Sequence, residues 1–457
     1  MCAPSPHGGG NLVTMFQHSL AVIAVIAVVF ALAKKCKVCT EMTLLLAALG
    51  ALAAHLILPM GVDARSALPF TEIIRHLVEG TFNYFDVCMT FLTATFFMTL
   101  YKETGGVNYL VHQIVGRFYK RRVLCLLLLL VVMMVPGAVT GSGATTVLTV
   151  GGLVGTVLAA MGVKEDRRVA LVFILAAMSA ACPPINLWTM MAAAGANMPY
   201  VGFTAPLAIL SLGGALFATF YLTRGTKSDS SVEEVLSTLP QPLRGWNAVR
   251  AFVPFIVMLT LILGARVVPA SWPVIGLPMI FMISAASVLL CTPHKVNVFE
   301  VAVTTVVNLK ELVGIMVVVG VLNQILTLTG ARGLISLGVV TLPIMLLFAA
   351  LWIILPVAEG VLQYAVAPLL GVPLIMLFNM KGYDAVIALA AWSVMWPVGD
   401  CLPPTAVVGR ATVLQLDYKG DYYKGFLKAA LVPMLFILAL CTAAMIFNNQ
   451  LGALLGV

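Results

Sequence analysis

Ala181-Cys182-Pro183-Pro184-Ile185-Asn186-Leu187 interrupts a run that is otherwise oily enough to cross a bilayer. Proline removes a backbone donor and clashes with the preceding turn, so two in succession end a helix. In hydrocarbon, each freed backbone group costs several kcal/mol unless protein or a water-filled cavity satisfies it. A second break of the same kind stands at Asp400-Cys401-Leu402-Pro403-Pro404-Thr405. Moving the numbering by 220 carries Pro183-Pro184 onto Pro403-Pro404, Pro136 onto Pro356, Gly151 onto Gly371 and Gly162 onto Gly382. Thr104-Gly105 and Thr329-Gly330 agree at a slightly larger shift. The chain reads as two related halves.

Composition fixes the environment. Of 457 residues, 61% are apolar and 10% are charged, and the mean hydropathy is +1.06. Soluble domains carry about 25% charged residues. An all-α polytopic membrane protein is expected, and the long continuous apolar runs exclude a transmembrane barrel. The nine cysteines are scattered in apolar runs, so no disulfide framework is expected. Cys36-Lys37-Val38-Cys39 reads as incidental. The net charge of +8 is not a nucleic-acid signature here, because basic loops orient membrane proteins. The first 18 residues lack a basic segment before the apolar run, so Leu20 to Ala33 reads as a retained helix.

One polar segment, about 224–248, separates the halves and reads as a solvated cytoplasmic linker. Residues 1–223 form the first repeat, with a re-entrant hairpin over about 123–161 and a broken helix over about 168–198. Residues 249–457 form the second, with a hairpin over about 340–380 and a broken helix over about 384–416. The span after residue 291 is expected at 311–328. Basic clusters at Lys34–Lys37, Arg117–Arg122, Lys164–Arg168, Arg224–Lys227 and His294–Lys295 belong on the cytoplasmic side. That assignment requires 123–161 to enter and leave from one side. Each half then has about five crossings plus one hairpin, since a span needs about 20 residues. An odd number inverts the second half. The N-terminus is expected outside, and a bacterial inner membrane is the expected location.

Inverted repeats with discontinuous helices mark secondary transporters, whose sites lie between the repeats near the midplane. Half-helix N-termini suit anionic groups, and broken-end carbonyls suit sodium. The first tip offers Thr140, Gly141, Ser142, Gly143, Thr145 and Thr146. The bland alternative is that these residues only permit close helix packing. The second tip, read at "LPVAEG" (355–360), carries Glu359 and Gly360, and the second break carries Gly399 and Asp400. An acid at mid-membrane costs about 2.5–3.5 kcal/mol on insertion scales, so Glu359 and Asp400 are candidates for a sodium ion or a proton. The alternative for both is a structural hydrogen bond. Asn186 and Thr405 flank the proline pairs as neutral donors, with Pro183 and Pro403 supplying the breaks. Arg410, about two helical turns beyond Pro404, clamps a carboxylate or anchors the interface. Asn323 and Gln324 read as packing residues. The six histidines show no metal spacing or polar cluster, and no phosphate-binding glycine-lysine loop is present. An enzyme is not expected, nor a cofactor beyond the coupling ion.

The run from Thr140 to Phe203, which opens "TGSGATTVLTVGG" and contains "ACPPINLW", resembles the large membrane subunit of tripartite ATP-independent periplasmic (TRAP) transporters. So does "GYDAVIALAAWSVMWPVGDCLPPTAVVGRATVLQLDYKGDYYKGF". The resemblance runs over about 120–457 and implies an elevator mechanism with sodium-coupled uptake of an organic anion, such as a dicarboxylate or sugar acid. It also implies two partners, a small four-helix membrane subunit and a periplasmic binding protein. By position, Ser142, Gly143 and Asn186 match the first ion-binding region, and Gly399, Pro403, Pro404 and Thr405 match the second. The chain departs from that pattern at Thr145, Thr146, Thr149, Glu359 and Asp400. A stand-alone proton-coupled carrier or exchanger, a channel, and a non-transporting membrane scaffold stay open as alternatives.

Overall fold

A computed structural model describes residues 8–58, 70–226, 230–267, 272–273, 275–341 and 343–456. These are mainly helical, with no strand among them, and nine helices among the described residues are long and apolar enough to cross a membrane. The chain is a multi-pass membrane protein.

The helices up to residue 222 fall into two groups. The first comprises α1 (Gly8–Lys35), α2 (Thr40–Ile57), α3 (Phe70–Phe82), α4 (Phe85–Glu103) and α5 (Gly106–Phe118). The second comprises α6 (Arg122–Thr140), α7 (Gly143–Thr146), α8 (Gly152–Ala160), α9 (Glu165–Ala181), α10 (Leu187–Gly195) and α11 (Thr204–Leu222). After a short α12 (Val232–Thr238), the long helices resume as α13 (Ala248–Val267), α14 (Leu277–Cys291), α15 (Val298–Leu328) and α16 (Ala331–Val340). The chain then continues through α17 (Ile344–Leu362), α18 (Val372–Met380), α19 (Ala385–Met395), α20 (Val407–Gln415), α21 (Lys428–Ile446) and α22 (Asn448–Leu455). α2, α3 and α4 pack on α15, and α4 also packs on α14, while α9 and α19 pack on α11 and α21.

The spacing seen in the sequence reappears in local structure. π-helical turns occupy Val147–Gly151 and Ala367–Gly371. Gly162 and Gly382 both adopt left-handed backbone, at φ 75° and 74°. Both proline pairs contain a cis bond. Glycine also permits close helix contact: a Cβ on Gly137 would stand 2.0 Å from Ser179 Oγ, and one on Gly399 would stand 2.0 Å from the Pro356 carbonyl oxygen. Such small-residue contacts are the usual way apolar helices approach each other in lipid.

The structure departs from the sequence reading in four places. The second tip is not at "LPVAEG": α17 continues to Leu362, and the chain turns at Gln363, where φ is +55°. Glu359 and Gly360 therefore sit inside the last turn of α17, and the missing Cβ of Gly360 admits Leu402 at 2.9 Å. α15 starts well before 311, because Asn297 caps its first turn by accepting from the Glu300 amide. The linker is not wholly solvated. Its Ser231–Glu234 capping box starts α12, Val235, Leu239 and Trp246 are buried, and Trp246 Nε1 donates to the Thr104 carbonyl at 2.8 Å. Finally, His18 Nε2 and His55 Nδ1 are hydrogen-bonded at 2.9 Å, which places two histidines together where none was expected in a polar cluster.

Candidate functional site

The first turn is built from two caps. Gly141 closes α6 in the left-handed region at φ 68°, a conformation glycine adopts without steric cost. Ser142 then opens α7 by accepting the Thr145 amide on its hydroxyl at 3.3 Å. Thr140 turns inward, and its hydroxyl donates to the Pro136 carbonyl at 2.7 Å. Thr146 pairs with Ser179 at 2.8 Å. Gly143 lies 3.0 Å (as a built Cβ) from the Ala176 carbonyl, so it serves close packing.

The first break is satisfied from within. Asn186 is fully buried. Its amide nitrogen donates to the Ala181 carbonyl at 3.0 Å, and its oxygen accepts the Thr189 amide at 2.9 Å. The Ile185 amide donates to Ala138 at 3.0 Å, and Tyr200 donates to the Pro184 carbonyl at 3.1 Å. These partners take up groups that two prolines would otherwise orphan.

The second break is held by its neighbours. Thr405 donates to the Gly360 carbonyl twice, from its amide at 3.1 Å and its hydroxyl at 2.8 Å. Tyr422 donates to the Cys401 carbonyl at 2.7 Å. Arg410 is exposed, and its guanidinium donates to the Pro404 carbonyl at 2.8 Å.

Three side chains join the two halves at the centre. Trp188 Nε1 donates to Glu359 Oε2 at 2.9 Å. The Trp188 ring stacks on Tyr364 with centroids 4.7 Å apart. The Tyr364 hydroxyl donates to the Gly141 carbonyl at 3.4 Å. Glu359 is 0% exposed, and its Oε1 has no hydrogen-bond partner. Trp188 and Tyr364 were invisible to sequence reasoning, because an aromatic residue in an apolar run gives the signal of core packing.

Beside this cluster lies a cavity of about 480 Å³. One wall comes from the turns and the second break, through Ser142, Thr145, Gln363, Tyr364 and Asp400; the other comes from the unbroken helices α4 and α15, through Thr95, Thr99, Lys102, Glu103, Asn308 and Glu311. Of the residues singled out in the sequence, Ser142, Thr145, Thr149 and Asp400 face this space. Thr140, Thr146, Asn186, Glu359 and Thr405 brace the protein around it, and Arg410 points elsewhere. A second cavity of about 450 Å³ reaches Pro183 and Pro184 between α5, α6 and α13, and its wall is almost wholly apolar.

No family model matches the sequence, and no curated protein does, so the TRAP resemblance gains no support from those comparisons. Solved structures do match. Neisseria gonorrhoeae MtrF, described as illuminating a class of antimetabolite efflux pumps, is 17% identical with a TM-score of 0.60, over 89% of this chain and 93% of that one. The Alcanivorax borkumensis YdaH transporter is 13% identical with a TM-score of 0.55, over 84% of this chain and 90% of that one. At these identities the likeness is one of fold, and the chain shares the fold of these two membrane proteins.

Proposed function

We propose that the chain is a secondary active carrier for a small carboxylate-bearing organic solute. The observation that carries this reading is the cavity whose opposite walls are broken and unbroken helices. The fold likeness to an efflux pump and a transporter supports the same class. Two inverted repeats are favoured by the meeting of opposite ends of the broken helices. At the start of α9, Asp166 accepts from Tyr418 at 2.6 Å and Glu165 accepts from the Lys419 amide at 3.1 Å, both just past the end of α20. Burial and Asp166 together push the Tyr418 hydroxyl well above its ordinary pKa. The assignment of this face to the cytoplasm is favoured by the company of Arg167, which donates to the Arg224 carbonyl at 3.1 Å, and of Arg122, which contacts Thr226. In the elevator reading, α6–α10 and α17–α20 move as a unit against α4 and α15.

Coupling is by sodium in the first reading, with hydroxyls and broken-end carbonyls around Ser142, Gly399 and Thr405 as its oxygens. A second reading, a proton-coupled carrier without tripartite partners, is favoured by Glu359, an acid in the membrane interior with one oxygen unpaired. Reconstituted proteoliposomes separate the two. Concentrative flux of a radiolabelled organic acid that follows a sodium gradient and ignores a pH gradient fits the first, and the converse fits the second. Flux that neither saturates nor concentrates against a gradient sinks the carrier reading in favour of a channel.

A further inference from the structure

We propose that the solute also carries a protonated amine, held at the inner end of the cavity with the Asp400 carboxylate as counter-charge. This rests on the carrier reading above and narrows its cargo to a zwitterion. The cavity wall presents three acids, Glu103, Glu311 and Asp400, against one base, Lys102. Lys102, Glu103 and Glu311 are exposed, so water and salt weaken their pull. Asp400 differs. It is 3% exposed and lines the cavity, and no cation or hydrogen-bond donor among the described residues reaches its carboxylate. Glu359 lies behind it with an unpartnered oxygen of its own. A buried carboxylate left without a partner is strongly unfavourable, and a purely anionic solute would add a further negative charge beside it. An ammonium group removes the imbalance. It offers three donors and no acceptor, and the cavity supplies acceptors beside Asp400 in the Ser142 and Tyr364 hydroxyl oxygens. The solute's carboxylate then lies toward Lys102.

An inorganic cation or a proton at Asp400 would satisfy the same charge, so the test separates these sources: a protonated Asp400 would let the deaminated acids bind as well as their amino counterparts. Thermal unfolding of the full chain in detergent is followed with matched probes of three sizes: glycine, leucine and phenylalanine, each beside its deaminated acid and its decarboxylated amine. A parallel arm replaces sodium chloride with choline chloride. At one size or more, the zwitterion is expected to raise the unfolding temperature where its deaminated acid does not, in both salts. Asp400→Asn is expected to weaken that binding about 30-fold or more, the scale for losing one member of a buried charge pair. Should the variant not fold, the discrimination by the unaltered chain is itself the test. The inference is overturned if the acids bind as well as their amino counterparts, if no probe binds, if Asp400→Asn binds the zwitterion unchanged, or if sodium gives the whole stabilisation. In proteoliposomes, flux of a deaminated acid alone overturns this inference and leaves the carrier reading intact. Binding of the zwitterion without flux does the reverse.

Discussion

The two helix breaks occupy corresponding places in the chain and solve the same backbone problem in opposite ways. At the first, one side chain, Asn186, takes both an orphaned carbonyl and an orphaned amide, and the break carries no charge. At the second, the corresponding residue is Ala406, which caps nothing and sits in the left-handed region at φ 44°. Its backbone is held by Thr405 reaching across to Gly360, and it leaves an acid, Asp400, facing the cavity. The first break acts as a brace, and the second carries the charge. The close helix contact shows the same division: glycine lies on the α6 side in the first half and beside Asp400 in the second.

The comparison is open to attack at several points. The largest effect is expected from Gly399→Ala, because the new Cβ meets a backbone oxygen at 2.0 Å and neither partner yields easily. A loss of about 3 kcal/mol or more, at the upper end for overpacking, should appear as loss of the monodisperse peak in size-exclusion chromatography. Survival of the variant with an unchanged unfolding temperature would show that the α17 contact is looser than described. Trp188→Phe keeps an aromatic ring but leaves Glu359 without its donor, at a cost of about 1–3 kcal/mol. Adding Glu359→Leu should restore part of that loss in the same thermal measurement. Asn186→Ala should cost about 1–2 kcal/mol, the range for a lost helix cap, and a drop confined to the second half by hydrogen exchange would contradict the assignment. The smallest effect has the opposite sign. Ala406→Gly relieves a left-handed alanine and should raise stability by up to about 1 kcal/mol, seen as a slightly higher unfolding temperature.

Much of this architecture was legible in the sequence because proline and glycine write backbone geometry directly. The pairs Pro183-Pro184 and Pro403-Pro404 located both breaks, and "TGSG" located the first turn. The second turn was misplaced because Gly360 looked like a chain-reversal residue, whereas its missing Cβ accommodates Leu402 and Gln363 takes the positive φ instead. Asp400 was legible as an acid out of place in an apolar run, and the structure gives it a cavity. Glu359 was legible too, but its partner was not, because nothing local in the chain connects it to Trp188. Arg410 illustrates the converse. Its charge drew attention, yet helical phase turned it away from the cavity to bond the Pro404 carbonyl. The buried apolar positions of the linker were masked by the serines, prolines and charges around them.

The indole of Trp188 and the carboxyl of Glu359 lie 171 residues apart in the chain. At about 5–20 residues per second of synthesis, the donor waits in the bilayer for many seconds before its acid emerges from the ribosome. The Trp188–Glu359 bond therefore cannot close until the later part has been made. The order of translation delivers the neutral partner ahead of the acid.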